Sequence, residues 1–233
     1  MRKWSALLNG SMSPSEVDPF WLTLTTAFIS TLLILPPGLF LAWLLARKNF
    51  PLKSFVETIV SLPLIMPPVA TGLVLLKLMG KRGPLGMLFH ELFRSEIVFT
   101  WRAIVAAMAV MSFPFIVRTA RVAFEEVNTR FEQVARTLGS GPWRVFRSIT
   151  LPLAARGIVA GSALAFGRAI GEFGATVLVA GNIPGKTATL SVSIFYLIQL
   201  GQDRLAFHLV VLSLAPCFVL LYLSEVFLRK RKD

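Results

Sequence analysis

Five stretches of this chain, residues 20–46, 54–80, 102–124, 157–181 and 205–228, are each apolar and long enough to cross a bilayer, because about 20 helical residues span a hydrocarbon core about 30 Å thick. In lipid, each backbone N–H and C=O must be satisfied within its own segment, so such stretches fold as helices. The expected class is an all-α integral membrane protein with five transmembrane helices. A hydrophobic content of 55% and a mean hydropathy of +0.70 fit that class and exceed what an ordinary soluble domain buries.

The chain is strongly basic, with a formal charge of +12. Its Lys and Arg residues collect at the ends of the apolar runs and not on groove-reading or aromatic-rich elements, which argues for a membrane orientation signal and against nucleic acid. Arg47, Lys48 and Lys53 follow the first span, and Arg229, Lys230, Arg231 and Lys232 follow the last. A dense run, Arg118, Arg121, Arg130, Arg136, Arg144, Arg147 and Arg156, surrounds the polar stretch 125–156. The positive-inside rule makes all three regions cytoplasmic, with the N-terminus outside and the C-terminus inside. Residues 1–19 are expected to form an external polar tail, without the apolar core of a cleavable signal. Residues 20–228 are expected to form the transmembrane domain, and 229–233 a cytoplasmic basic tail.

Prolines mark where these helices depart from regularity. Pro36 and Pro37 should kink the first span, Pro114 the third and Pro216 the last. Pro63, Pro67 and Pro68 in the second predict a bent or locally unwound segment, which either lines a cavity or serves only packing. Residues 81–101 read as a polar external loop. Residues 191–200 are apolar but too short to span, and suggest an external or partly re-entrant helix.

The polar stretch has its own local logic. Thr129 with Glu132 three residues on forms a capping box. Phe131, Val134, Ala135 and Leu138 then fall at helical spacing, as one apolar stripe with Glu132, Gln133 and Arg136 off it. Gly139 supplies the left-handed stop. Pro142 suits the first turn of a second helix, expected to end near Thr150, before Leu151 and Pro152.

At these residues the chain resembles the ABC importer permeases, whose cytoplasmic loop reads Glu-Ala-Ala, three residues, Gly, nine residues, Ile, one residue, Leu-Pro. The matching positions are Gln133, Val134, Ala135, Gly139, Ile149, Leu151 and Pro152. Gln133 replaces the family's Glu and Val134 its first Ala, while Glu132 stands one place early and is counted with these positions among the coupling residues the resemblance implies. In that family the loop is a coupling helix that docks on an ATP-hydrolysing subunit. The resemblance implies a homodimer with its path at the two-fold interface, two ATPase subunits below it and an external oxyanion-binding protein above. It implies no cofactor on this chain; ATP and Mg are used by the ATPase.

The fourth span has small residues at i and i+4, in the pairs Gly157/Gly161 and Gly167/Gly171, which permit close helix contact. It also carries Arg168 and Glu172 on one helical face. An intramembrane ionisable pair marks either a neutralised packing contact or a functional site. Here the functional reading is a pore wall in which Arg168 offsets an anion's charge, Glu172 holds Arg168, and Gly171 and Gly174 line a gate. The run from Arg168 to Thr187, RAIGEFGATVLVAGNIPGKT, is similar to the molybdate permeases, with sulfate permeases as close relatives. This resemblance implies a bacterial inner-membrane subunit that passes molybdate, or else sulfate, thiosulfate or tungstate.

GNIPGKT imitates a phosphate loop but leaves only three residues between Gly181 and Gly185 where four are needed, so it is not expected to bind nucleotide. A tight external turn is expected instead. His90 and His208 lack metal-ligand spacing, Cys217 is the only cysteine, and no nucleophile elbow or HExxH motif occurs. The chain is therefore not expected to be an enzyme by itself. An ion-coupled secondary transporter or a non-transporting scaffold are the readings from other classes, and Glu172 is the one acid well inside a predicted span.

Overall fold

A computed structural model describes residues 14–229. Their elements are α1 (Pro14–Arg47), α2 (Lys53–Ile65), α3 (Pro68–Met79), α4 (Pro84–Phe93), α5 (Trp101–Glu126), α6 (Thr129–Thr137), α7 (Pro142–Val145), a π-helical turn (Phe146–Thr150), α8 (Leu151–Ile170), α9 (Gly174–Val179), α10 (Leu190–Gln199) and α11 (Asp203–Arg229). Among the described residues all regular structure is helical. Four stretches, Pro19–Arg47, Trp101–Glu126, Pro142–Ile170 and Asp203–Tyr222, are long and apolar enough to cross a membrane. The pair α2 and α3 meets the same criterion jointly, across a bend of 113°.

Three apolar clusters stack along the bundle. Near Thr23, Ala27 packs with Ala103, Ile104, Ala107, Met108, Ala169 and Ile170. The middle holds Ile34, Ala109, Ile116 and Ala165. Near Arg47, Ala42 and Leu45 pack with Val117, Ala120, Phe124 and Ala154. Residue numbers rise together in α1 and α5 and fall in α8, so α1 and α5 run one way and α8 returns. Thr23 and Arg47 lie at opposite ends of the bundle, about 36 Å apart at 1.5 Å per helical residue. The bent pair links these ends: Val56 and Val60 of α2 join the Arg47 cluster, and Leu75, Leu76 and Met79 of α3 join the other. α11 starts at the Thr23 end, where Ala206 and Leu209 pack with Leu190, Leu197 and Phe20.

Small residues set the closest contact. A Cβ at Gly157 would collide with Ala123, and one at Gly161 with Thr119, so α8 lies directly on α5 at both positions. Among the described residues a Cβ at Gly167, by contrast, would meet only Leu220, at 4.0 Å, so the second predicted pair of small residues makes no such contact within the chain.

Several sequence expectations change. Residues 14–19 are helical and continuous with α1, while the basic residues 230–233 lie outside the described residues. Pro36 and Pro37 lie inside α1, and Pro114 and Pro216 inside α5 and α11, the spans in which they were expected. The predicted loop 81–101 contains α4, which starts with Gly83 as N-cap and Pro84 at the first turn, a favoured position for proline. The helical stretch that holds the fourth predicted span runs from Pro142 to Ile170, ending earlier than expected, and residues 171–181 hold a break followed by the short α9. Pro152 does not interrupt it, because the π-helical turn lets the Leu151 amide bond to Phe146 O, five residues back, just where proline removes the next donor. The break between α2 and α3 matches expectation. Met66 and Pro67 are extended, as residues before proline prefer, and Pro68 opens α3.

Candidate functional site

The polar stretch folds at the Arg47 end as α6, a turn and α7. The N-cap of α6 is Asn128, whose side chain accepts from Arg130 N at 3.0 Å, and not Thr129. The predicted capping box does not form, because Glu132 is drawn elsewhere. Its Oε1 lies 2.8 Å from an Arg47 guanidinium nitrogen and accepts from the Thr150 hydroxyl at 2.9 Å. Arg47 also donates to Val127 O at 3.0 Å, at the end of α5. Gly139 has φ +86°, the left-handed stop that was expected. Ser140 N donates to Ala135 O and Gly139 N to Arg136 O, which closes the helix end.

The apolar stripe faces away from the bundle. Phe131, Val134, Leu138 and Trp143 are 57%, 58%, 81% and 72% exposed, whereas Glu132 is only 8% exposed. Gln133 and Pro152 are exposed, and Ala135, Ile149 and Leu151 are half-buried. Beneath the stripe, Phe146 touches Trp43, Phe124 and Trp143 at ring separations of 5.9, 6.1 and 5.7 Å, tying the turn to α1 and α5. The arrangement presents an apolar surface, rimmed by Arg130, Arg136 and Arg144, beyond the end of the helix bundle. In the sequence Arg47 reads only as an orientation signal and Thr150 only as the end of a helix. The early acid at Glu132 was the available hint that an internal partner existed.

The second candidate lies toward the Thr23 end. Arg168 and Glu172 form an ion pair at 2.6 Å, but Glu172 sits past the end of α8 and not on a shared helical face. Its other oxygen accepts from Ala175 N at 2.8 Å, so the carboxylate caps the first turn of α9. Glu172 is 1% exposed, while the Arg168 side chain is 26% exposed. Gly171 ends α8, and Gly174 lies so close to α3 that a Cβ would reach Pro68 Cβ at 2.7 Å. A Cβ at Gly72 would likewise reach Ala175 Cα at 2.8 Å. The two helix breaks therefore pack backbone to backbone. GNIPGKT forms a turn with Gly181 and Gly185 at φ +69° and +74°, in which the buried Thr187 hydroxyl accepts from Ile183 N at 3.0 Å. Among the described residues no group of three His, Cys, Asp or Glu side chains could hold a metal ion.

Residues 38–233 match the model of a family described as binding-protein-dependent transport system inner membrane component. The chain is 46% identical over 213 residues to the molybdenum transport system permease protein ModB of Escherichia coli K12, covering 89% of this chain and 93% of that protein. It is 35% identical over 219 residues to the sulfate transport system permease protein CysT of the same organism, covering 94% and 77%. Among solved structures, a bacterial ABC transporter involved in the import of the acidic polysaccharide alginate shares its fold, with a TM-score of 0.74, 16% identity and coverage of 95% and 82%.

Proposed function

The chain belongs to the family of binding-protein-dependent transport system inner membrane components, and from that premise we propose that it is the membrane-spanning permease of an ATP-driven importer that moves molybdate into the cytoplasm. The observation that carries this reading is the 46% identity to a molybdenum permease over most of both chains. The lower identity to a sulfate permease makes sulfate the competing cargo.

The permease has no ATPase site of its own; hydrolysis belongs to a separate subunit. In the proposed arrangement the bent pair α2–α3 counts as one crossing, giving five in a bacterial inner membrane, with the Thr23 end outside and the Arg47 end in the cytoplasm. Two copies pair around the path, with an oxyanion-binding protein docking outside. The exposed stripe of α6 enters a groove on the ATPase, where Gln133, Val134, Ala135 and Gly139 belong to the docked helix, and Ile149, Leu151 and Pro152 carry it into α8. Closure of the ATPases on ATP draws the two loops together, and hydrolysis releases them. The groove must favour one permease state over the other, because equal affinity for both would shift nothing. Near the outer end, the junction of the two helix breaks serves as the gate, and Arg168, held by Glu172, offsets the passing anion's charge.

The test is uptake into proteoliposomes containing the permease, its ATPase and its binding protein. Molybdate is expected to enter only with ATP, and a tenfold excess of sulfate is expected to leave the rate unchanged. Uptake of sulfate in preference to molybdate would reassign the cargo. Uptake abolished by an uncoupler and indifferent to ATP would remove the importer reading.

A further inference from the structure

Glu132 is the one buried residue among the nine of α6. Burying a carboxylate is unfavourable unless it is paired and hydrogen-bonded, and this one meets both conditions through partners on two other elements. Arg47 belongs to the last turn of α1, and Thr150 closes the π-helical turn immediately before α8. Through its second bond, to Val127 O, Arg47 also holds the end of α5. One side chain of α6 thus reaches the ends of three long helices.

We propose that Glu132 is a positioning residue: with Arg47 and Thr150 it forms an internal latch that passes the displacement of α6 to α1 and α8, and it takes no part in contact with the ATPase. The inference deepens the proposed function and rests on it. A shift of one residue turns a helical position by about 100°. Glu132, one place before the position held by Gln133, accordingly points into the bundle while Gln133 stays exposed. Docking and transmission are thereby divided between two faces of the same short helix. The outward face offers Phe131, Val134 and Leu138 to an apolar groove, and the inward face offers a single charged tether. Without the tether, α6 would be attached mainly through its own chain ends and its backbone contacts with α7 and the π-helical turn, and movement of the ATPase could be absorbed in the turn at Gly139.

The test uses the complete reconstituted complex and reads molybdate carried per ATP hydrolysed, together with copurification of the ATPase. Glu132→Gln keeps the size and an acceptor for Thr150 but removes the charge, and Arg47→Gln removes it from the other side. Both variants are expected to lower the ratio at least tenfold while the ATPase copurifies at the wild-type level. The exchanged pair Arg47→Glu with Glu132→Arg is expected to recover most of it, a result that damage to folding could not produce. An unchanged ratio in both single variants would overturn the latch. So would loss of the ATPase from Glu132→Gln with retention by Arg47→Gln, which would make the acid a docking residue. The wild-type complex in the same preparation reports on the proposed function independently of either result.

Discussion

The Thr23 hydroxyl accepts a hydrogen bond from Leu190 N at 2.8 Å, joining positions 167 residues apart at the end of the bundle opposite Arg47. Both groups are buried, so this bond anchors the start of α10 to α1. Replacing Thr23 with Val preserves shape but leaves the amide without an acceptor, at a cost of about 1–3 kcal/mol. For a chain of this size each kcal/mol lowers Tm by about 2–4 °C. Thermal unfolding of the purified permease in detergent should show that fall for Thr23→Val and almost none for Thr23→Ser.

Glycines on α8 should divide into two classes. Gly161→Ala drives a methyl group into Thr119, and overpacking of this kind costs about 1–3 kcal/mol. Gly167→Ala meets only the end of Leu220 at 4.0 Å, and alanine favours a helix over glycine by about 1 kcal/mol. The first variant should therefore melt earlier than wild type, and the second at the same temperature or higher.

Gly139 is held at φ +86° with no other atoms near its missing side chain, so the constraint there is conformational and not steric packing. A β-branched residue in the left-handed region costs roughly 1–2 kcal/mol. Gly139→Val should weaken copurification of the ATPase and reduce uptake together. Gly139→Asn, which tolerates that conformation better, should keep most of both.

Arg168 and Glu172 differ in exposure, and their variants should differ accordingly. Removing the guanidinium leaves a buried carboxylate with only its bond to Ala175 N. Arg168→Ala should abolish most uptake while the complex still assembles on a sizing column. Normal uptake by that variant would remove the charge of Arg168 from the transport path.

These contacts explain which features could be read from residue order. The Gly139 stop, the Pro67-Pro68 break and the short helix before Leu200 are local properties, and each appears where its residues predict it. Long-range pairing was not legible. Thr129 and Glu132 satisfy a capping pattern, yet Arg47 and Thr150 compete successfully for the acid and Asn128 caps the helix instead. The apolar run through residue 181 conceals the break at Gly171, because what stabilises it is the Glu172 carboxylate bound to Arg168 and Ala175 N, together with the close approach of Gly174 to Pro68. Pro152 looks like a helix stop but falls where a π-helical turn has already removed the need for its N–H.

The side of the membrane on which α6 lies is the point on which coupling to an ATPase depends. Leu138 is 81% exposed, and Cys217 is the only cysteine, so Leu138→Cys in a Cys217→Ser background gives one reporter thiol. A membrane-impermeant maleimide should leave it unlabelled in intact cells and label it in inverted vesicles, and bound ATPase should protect it there. Labelling in intact cells would place α6 outside, beyond the reach of any cytoplasmic ATPase, and would contradict the account.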